Sequence, residues 1–164
     1  MFGNVYHAQF SKQWLEHASF NFFNFEDANF TNSVLHGAKL ALAGLNHAKL
    51  INADLTNADL RCANLNFADL SNADLRQAKL NAACLCNANF TNADLRDAIL
   101  HGAVINGADF TGAKVRYDTF QYVMRADLAI GLGSVFVDST TKRNEVISGR
   151  RQDNQRRLDW KIES

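Results

Sequence analysis

The chain contains no proline and only three cysteines, and its 17 basic and 17 acidic residues cancel to a formal net charge of zero. Each shortage removes a class of protein. Cys62, Cys84 and Cys86 are an odd number and fit a reducing compartment better than a disulfide framework. A neutral charge balance recruits neither nucleic acid nor a membrane surface. No apolar run approaches the length of a bilayer span, and Met1-Phe2-Gly3-Asn4-Val5 lacks the basic-then-apolar layout of a secretory signal. The expected location is therefore cytoplasmic. Ser-His-Asp groupings, paired carboxylate clefts, P-loops and dinucleotide glycine motifs are also missing, so no catalytic residue and no cofactor is assigned and the chain is expected not to be an enzyme.

What the chain does have is a period. A large apolar residue returns at every fifth position from Val5 to Phe120, and on most rungs an alanine sits two places before it. The centres include Phe10, Phe30, Leu50, Leu55, Leu60, Leu65, Leu70, Leu75, Leu80, Leu85, Phe90 and Leu95, and the partner alanines include Ala53, Ala73 and Ala93. Gly3, Gln13, Phe23, Ser33 and Asp118 replace the alanine, and no insertion shifts the phase. A period of five matches neither an α-helix, whose turns meet at three and four residues, nor a flat strand, whose faces alternate every two. It demands a turn in every unit, which is the mark of a solenoid whose units bury their apolar side by stacking on one another.

The middle of the chain carries the motifs Ala53-Asp54-Leu55-Thr56-Asn57, Ala58-Asp59-Leu60-Arg61-Cys62, Ala73-Asp74-Leu75-Arg76-Gln77 and Ala93-Asp94-Leu95-Arg96-Asp97. These closely resemble the pentapeptide-repeat family, with its consensus Ala-(Asp/Asn)-Leu-x-x, over residues 3 to 122. The resemblance implies an all-β solenoid, a right-handed quadrilateral β-helix with four pentapeptides to a square coil. Val5 to Phe120 would then supply about six coils, stacked at roughly 4.8 Å. Under that rule residues twenty apart share a column, and the column Phe10, Phe30, Leu50, Leu70, Phe90, Phe110 is apolar throughout.

The expected organisation is a repeat domain at 1–122 followed by a capping and interaction segment at 123–164. A solenoid exposes its last layer and its strand edges, which something must cover. Tyr122, Val123, Leu128, Ile130, Leu132 and Phe136 are placed to do so, with a short helix through Leu128 and an extended piece at 134–137. Family members that dimerise do so through a C-terminal extension, so Phe136, Leu158, Trp160 and Ile162 are candidates for a homodimer or partner surface. The run Arg150-Arg151-Gln152-Asp153-Asn154-Gln155-Arg156-Arg157 is diluted by acid and reads as a solvated or docking end, not as a direct nucleic-acid site.

With the inside used by packing, recognition must lie outside. Asn32, Asn52, Asn72 and Asn92 form an amide ladder in the expected stacking, and Asp54, Asp74 and Asp94 run beside Arg76, Arg96 and Arg116 as a mixed ion-pair network. One outer column departs from this polar pattern: Phe22, Leu42, Cys62, Ala82, Gly102, Tyr122. Trp14 and Val34 form a shorter apolar stripe, and such stripes mark protein contacts. Cys84-Leu85-Cys86 offers too few ligands for zinc, and His7 and His47 lie two layers apart, so no metal is expected. The expected function is a non-enzymatic scaffold or adaptor for a protein partner of unknown identity. The alternative is a DNA-mimicking protector of type II topoisomerase, an activity known in the family; it requires an acidic face, which Lys39, Lys49, Arg61, Arg76, Lys79 and Arg96 interrupt.

Overall fold

The computed structural model describes residues 3–116, 118–120, 122–123, 129–134 and 136–137. Within it the residue before each centre bridges in parallel to the residue twenty further on, as in Asp54↔Asp74, Asp59↔Lys79, Asn64↔Cys84 and Asp69↔Asn89. Twenty residues to a turn and five to a side make a four-sided coil. Each side holds a single bridge flanked by turns, so regular strands of more than one residue are almost absent from the repeats.

The backbone accounting explains why the repeat unit is five residues long. Leu55 N–H donates to Asp74 O at 2.8 Å, Asn57 N–H to Arg76 O at 3.0 Å, and Asp54 N–H to Ser33 O at 3.0 Å, tying each coil to both neighbours. Ala58 N–H donates back to Leu55 O at 3.0 Å and closes the corner as a β-turn. Four of the five amides are thereby satisfied. The fifth, Thr56 N–H, donates to Asp54 Oδ1 at 2.9 Å, and the same bond runs from Arg61 to Asp59, Ser71 to Asp69, Arg76 to Asp74, Thr91 to Asn89 and Arg96 to Asp94. The Asp or Asn before each centre is therefore an Asx-turn acceptor for the residue after it. Where that position holds Lys39 or Cys84, the orphan amide of Ala41 or Cys86 takes Asn21 Oδ1 or Asn66 Oδ1 from the previous coil. Buried backbone donors must be paired, and in these repeats they are paired locally or with an adjacent coil.

The third residue of each turn lies in the left-handed region, for example Asn57 at φ +58° and Asn92 at +59°. Asn and Gly tolerate this region best, which accounts for Asn32, Asn52, Asn57, Asn72, Asn87 and Asn92. The inward positions form one continuous core. Phe30, Leu50 through Leu85, Phe90 and Leu95 at every fifth residue, with Ala53, Ala73 and Ala93, are at most 1% exposed. Phe10 differs from expectation: it is only partly buried, because it lies in the first coil, although its ring stacks on Phe30 at 5.0 Å. Two irregular alanine positions explain each other, since Phe23 stacks above Gly3, where a Cβ would run into its ring. Ser33 is buried with its hydroxyl donating to Phe30 O at 2.7 Å.

Beyond the repeats, Asp109 bridges to Ile130, and β1 (Lys114–Val115) pairs in parallel with β2 (Phe136–Val137) after a short 3-10 turn at Leu132–Ser134. These partners come one and two residues later than the repeat spacing, so the ladders continue through inserted residues. Leu132 is buried, but Ile130 is 55% exposed and faces outward from its ladder position. The expected helix through Leu128, the basic run at 150–157, and Leu158, Trp160 and Ile162 lie outside the described residues.

The outer ion pairs are more local than expected. Arg61, Arg76 and Arg96 fold back on the acid two residues earlier, with Nη2 to Oδ2 distances of 2.7, 2.6 and 2.7 Å to Asp59, Asp74 and Asp94. Asp54 instead accepts from the Thr56 hydroxyl at 2.6 Å, and Arg116 pairs with Asp97. Burial pushes the Asp94 carboxyl up, but the hydrogen bonds from the Arg96 side chain and amide, with the charges of Arg96 and Lys114, outweigh it and hold Asp94 below its ordinary value. For Asp59 the Arg61 hydrogen bond dominates, with the same net direction.

Two predictions follow from core and rim. Replacing Ala73 with Leu overpacks the coil and costs about 1–3 kcal/mol, while Leu75→Ala leaves a cavity and costs about 2–5 kcal/mol; denaturant melts of both variants measure this, and parental midpoints would refute the inward assignment. A carboxyl depressed by folding stabilises above its unfolded value near pH 4 and loses that contribution as pH falls through its folded value. Asp94→Asn keeps the turn acceptor but not the charge, so its melts should fall less steeply than the parent's between about pH 5 and pH 2. Asp94→Ala, which loses both, should be the less stable of the two at neutral pH by about 1 kcal/mol.

Candidate functional site

The corners decide which side chains reach solvent. A residue two places after a centre projects from a left-handed turn, and the column Phe22, Leu42, Cys62, Ala82, Gly102, Tyr122 occupies such corners, with φ of +66°, +60°, +56°, +55°, +74° and +64°. A non-glycine residue pays roughly 1–2 kcal/mol to sit there, and here the side chains recover little of it by burial: Phe22 is 48%, Leu42 52% and Tyr122 57% exposed. Phe67 (φ +60°) is likewise exposed, although its ring stacks on His47 at 5.0 Å. Strained backbone combined with exposed apolar surface runs against local stability on both counts, and such outliers concentrate at functional positions.

At the N-terminal part of this column the surface is also concave. Phe22, Phe23 and Leu42 line an open groove of about 460 Å³ bordered by Asn4, Asn24 and Gly44. Gly44 follows Asn24 in its ladder and offers no side chain to fill the floor. Phe23, too large to enter the core as alanine does, stacks on Phe25 at 5.8 Å and exposes part of its ring to the groove. The polar rim is held by Asn24, whose Oδ1 accepts from Glu26 N–H at 3.0 Å and whose Nδ2 donates to the Tyr6 hydroxyl at 3.1 Å.

The sequence-derived surface residues do not form one patch. Trp14, 80% exposed, bridges to Val34 on the side of the coil that also carries Asp54 and Asp74. A complete side, that of Ser19, Lys39 and Asp59, separates this stripe from the Phe22 corner. Cys62 continues the Phe22 column and is a free, exposed thiol. The backbone of Phe136 pairs with Lys114, on the ladder of Trp14 and Val34. The amide ladder is partial, with Asn52 Nδ2 donating to Asn32 Oδ1 at 3.1 Å. Along the acidic column Asp74 and Asp94 are each held by an arginine of their own repeat, so this face is not a bare run of negative charge.

One cluster escaped sequence reasoning. Glu16, His17 and His36 bring three potential ligand atoms within 4.8 Å of one another. The stacking rule carries the signal, since it sets Glu16 over His36 and His17 over Gly37, so the two histidines meet across neighbouring columns. Cys84 and Cys86 are free.

The repeat geometry has counterparts among known proteins. A family model described as pentapeptide repeats matches in eight copies, over residues 15–43, 40–77 and 73–112. A pentapeptide repeat protein from the Arabidopsis thaliana thylakoid lumen is 31% identical, with 85% of this chain and 81% of that chain covered and a TM-score of 0.50. The protein alr5209 from Nostoc PCC 7120, also a pentapeptide repeat protein, is 31% identical over 73% of this chain and 84% of its own, with a TM-score of 0.44. QnrB1, a plasmid-mediated fluoroquinolone resistance protein, is 18% identical over 83% and 80%, with a TM-score of 0.38. No curated protein matches the sequence. With a spine of apolar residues every five positions, parallel bridges every twenty and the repeat model matched across most of both, this chain belongs to the pentapeptide-repeat family, whose members form right-handed quadrilateral β-helices.

Proposed function

We propose that this chain is a non-enzymatic scaffold or adaptor that binds a protein partner in the cytoplasm through the corner column of Phe22 and Leu42 and the groove between them. The observation that carries this reading is the placing of two large apolar side chains, about half exposed, on left-handed backbone where asparagine would be both more soluble and less strained. Such a site fits an apolar side chain of a partner, seated on Phe22, Phe23 and Leu42 and oriented by the amides of Asn4 and Asn24. A core at most 1% exposed along its middle length supports binding at the surface and not chemistry in an interior pocket. The three unpaired thiols fit a reducing location.

The same reading takes the repeat domain as residues 1–122, about six coils at the coil spacing of the family, with 123–164 as a cap that also serves self-association through Phe136, Leu158, Trp160 and Ile162. Leu132, buried against the core, supports the capping role. Topoisomerase protection by DNA mimicry is less well supported, because Asp59, Asp74 and Asp94 are each neutralised by a neighbouring arginine.

Leu42→Asn separates stability from function. Asparagine relieves the left-handed strain, so the variant should be equally stable or gain about 1 kcal/mol in a denaturant melt, yet it should lose a partner that the parent captures from host extract. Retention of that partner by a folded Phe22→Asn, Leu42→Asn double variant would refute the proposed surface. Deleting residues 138–164 leaves the β1–β2 pairing in place and should lower the mass measured by light scattering if the C-terminal segment carries a dimer; an unchanged mass would remove self-association from the proposal.

A further inference from the structure

We infer that Glu16, His17 and His36 form a binding site for a divalent transition metal, with two imidazole nitrogens and one carboxylate oxygen as ligands. The three groups come from adjacent coils, and the backbone holds them in place: His17 N–H donates to His36 O at 2.8 Å. The two rings meet edge to face with centroids 5.4 Å apart, and His17 Nε2 lies 3.9 Å from Glu16 Oε1.

Two further features act on the rings. His17 lies over Gly37, where a Cβ would meet ring atom Cε1 at 2.6 Å, so the ring rests in a space that any other residue would occupy. Gly37 also sits at φ +61°, so glycine suits the turn and the ring together. The second feature fixes a tautomer. The Thr56 hydroxyl donates its only proton to Asp54 Oδ1 at 2.6 Å, and His36 Nδ1 lies 2.6 Å from the same Oγ1. Asp54 as a carboxylate can only accept, so Thr56 Oγ1 must accept from His36 Nδ1–H. The lone pair of His36 is thereby left on Nε2. A chain from carboxylate through a second group to the far nitrogen of an imidazole is the arrangement that orients histidine ligands and raises their basicity.

Two nitrogens and a carboxylate suit zinc, copper(II), nickel or cobalt, not calcium or magnesium, which take oxygen ligands. Ligands at about 2.1 Å in tetrahedral geometry stand roughly 3.4 Å apart. The cluster, with spacings up to 4.8 Å, must close slightly. Glu16 and His17 have side chains 51% and 69% exposed, so rotamer changes suffice. Water would complete the coordination, as in other three-ligand sites. A metal here would link the partly buried first coil to the second and stabilise the end of the rod where Leu15 and Phe20 lie at its margin.

The test is calorimetric titration of the untagged full chain with zinc chloride, with cobalt(II) absorption as a second readout. One saturable site per chain is expected. His17→Ala, His36→Gln and Glu16→Gln should each weaken it by about tenfold or more, and Thr56→Val, which touches no metal, by about tenfold through the lost orientation of His36. His47→Gln, His101→Gln and Cys84→Ser should leave it unchanged, and circular dichroism checks that each variant is folded. Zinc should raise the melting temperature of the parent and not of folded Glu16→Gln. Absence of saturable zinc binding, equal weakening by the His47 or Cys84 variants, or parental affinity in the folded Glu16 and His17 variants would overturn the assignment.

Discussion

The hydrogen bond between one coil and the next is the constraint on which the rest of this structure depends. Each side contributes a single bridge, too short to form an independent strand, so a pentapeptide gains its backbone partners only by standing above and below two others twenty residues away. That requirement favours a constant unit length, and the five-residue phase is unbroken from Val5 to Phe120. The inward leucine and alanine are the packing counterpart of the same rule. They fill a column whose height per layer is set by the hydrogen bonds, which is why neither can change size freely. The Asp or Asn at the bridge position belongs to the backbone accounting as well, because its carboxylate or amide oxygen takes the one amide that no neighbouring coil or turn satisfies.

Because the interior is committed, variation is confined to corners and sides, and the corners carry a conformational cost. Asparagine and glycine meet that cost at 10 of the 23 described repeat corners, and polar or small residues such as His7, Lys12, Asp27, Gln77 and Ala82 sit at several others. Phe22, Leu42 and Tyr122 belong to neither group, and they remain exposed. A patch that is neither the most stable nor the most soluble choice at its position is the best physical marker of recognition on a rod of otherwise interchangeable units. Charge gives a weaker marker here. The arginines are paired within their own repeats, so the acidic columns contribute turn chemistry and local ion pairs more than a long-range field.

Where sequence and structure part, the causes are specific. The Asp and Arg columns suggest a mixed network along one face, but Arg76 and Arg96 reach back two residues because the Asx turn already presents the acid beside them. The Trp14 stripe and the Phe22 column are separate in the period, and the corner geometry sets a full side of the coil between them. Past Phe120 the repeat motif drifts out of phase, while the ladders persist through one- and two-residue offsets at Ile130 and Phe136. A strict search at five residues cannot follow that, because bridge partners tolerate extra residues in a corner while a periodic pattern does not.

The sequence by itself determined the solenoid, its period, the inward leucines and alanines, and the identity of the columns. All of these follow from a repeat that leaves one way to bury its apolar residues. Tertiary structure alone decided which corner residues are strained, how Asp54 and Thr56 orient His36, and how Gly37 makes room for His17. These relations join residues of different repeats through side-chain rotamers and backbone torsions, and a one-dimensional pattern contains neither.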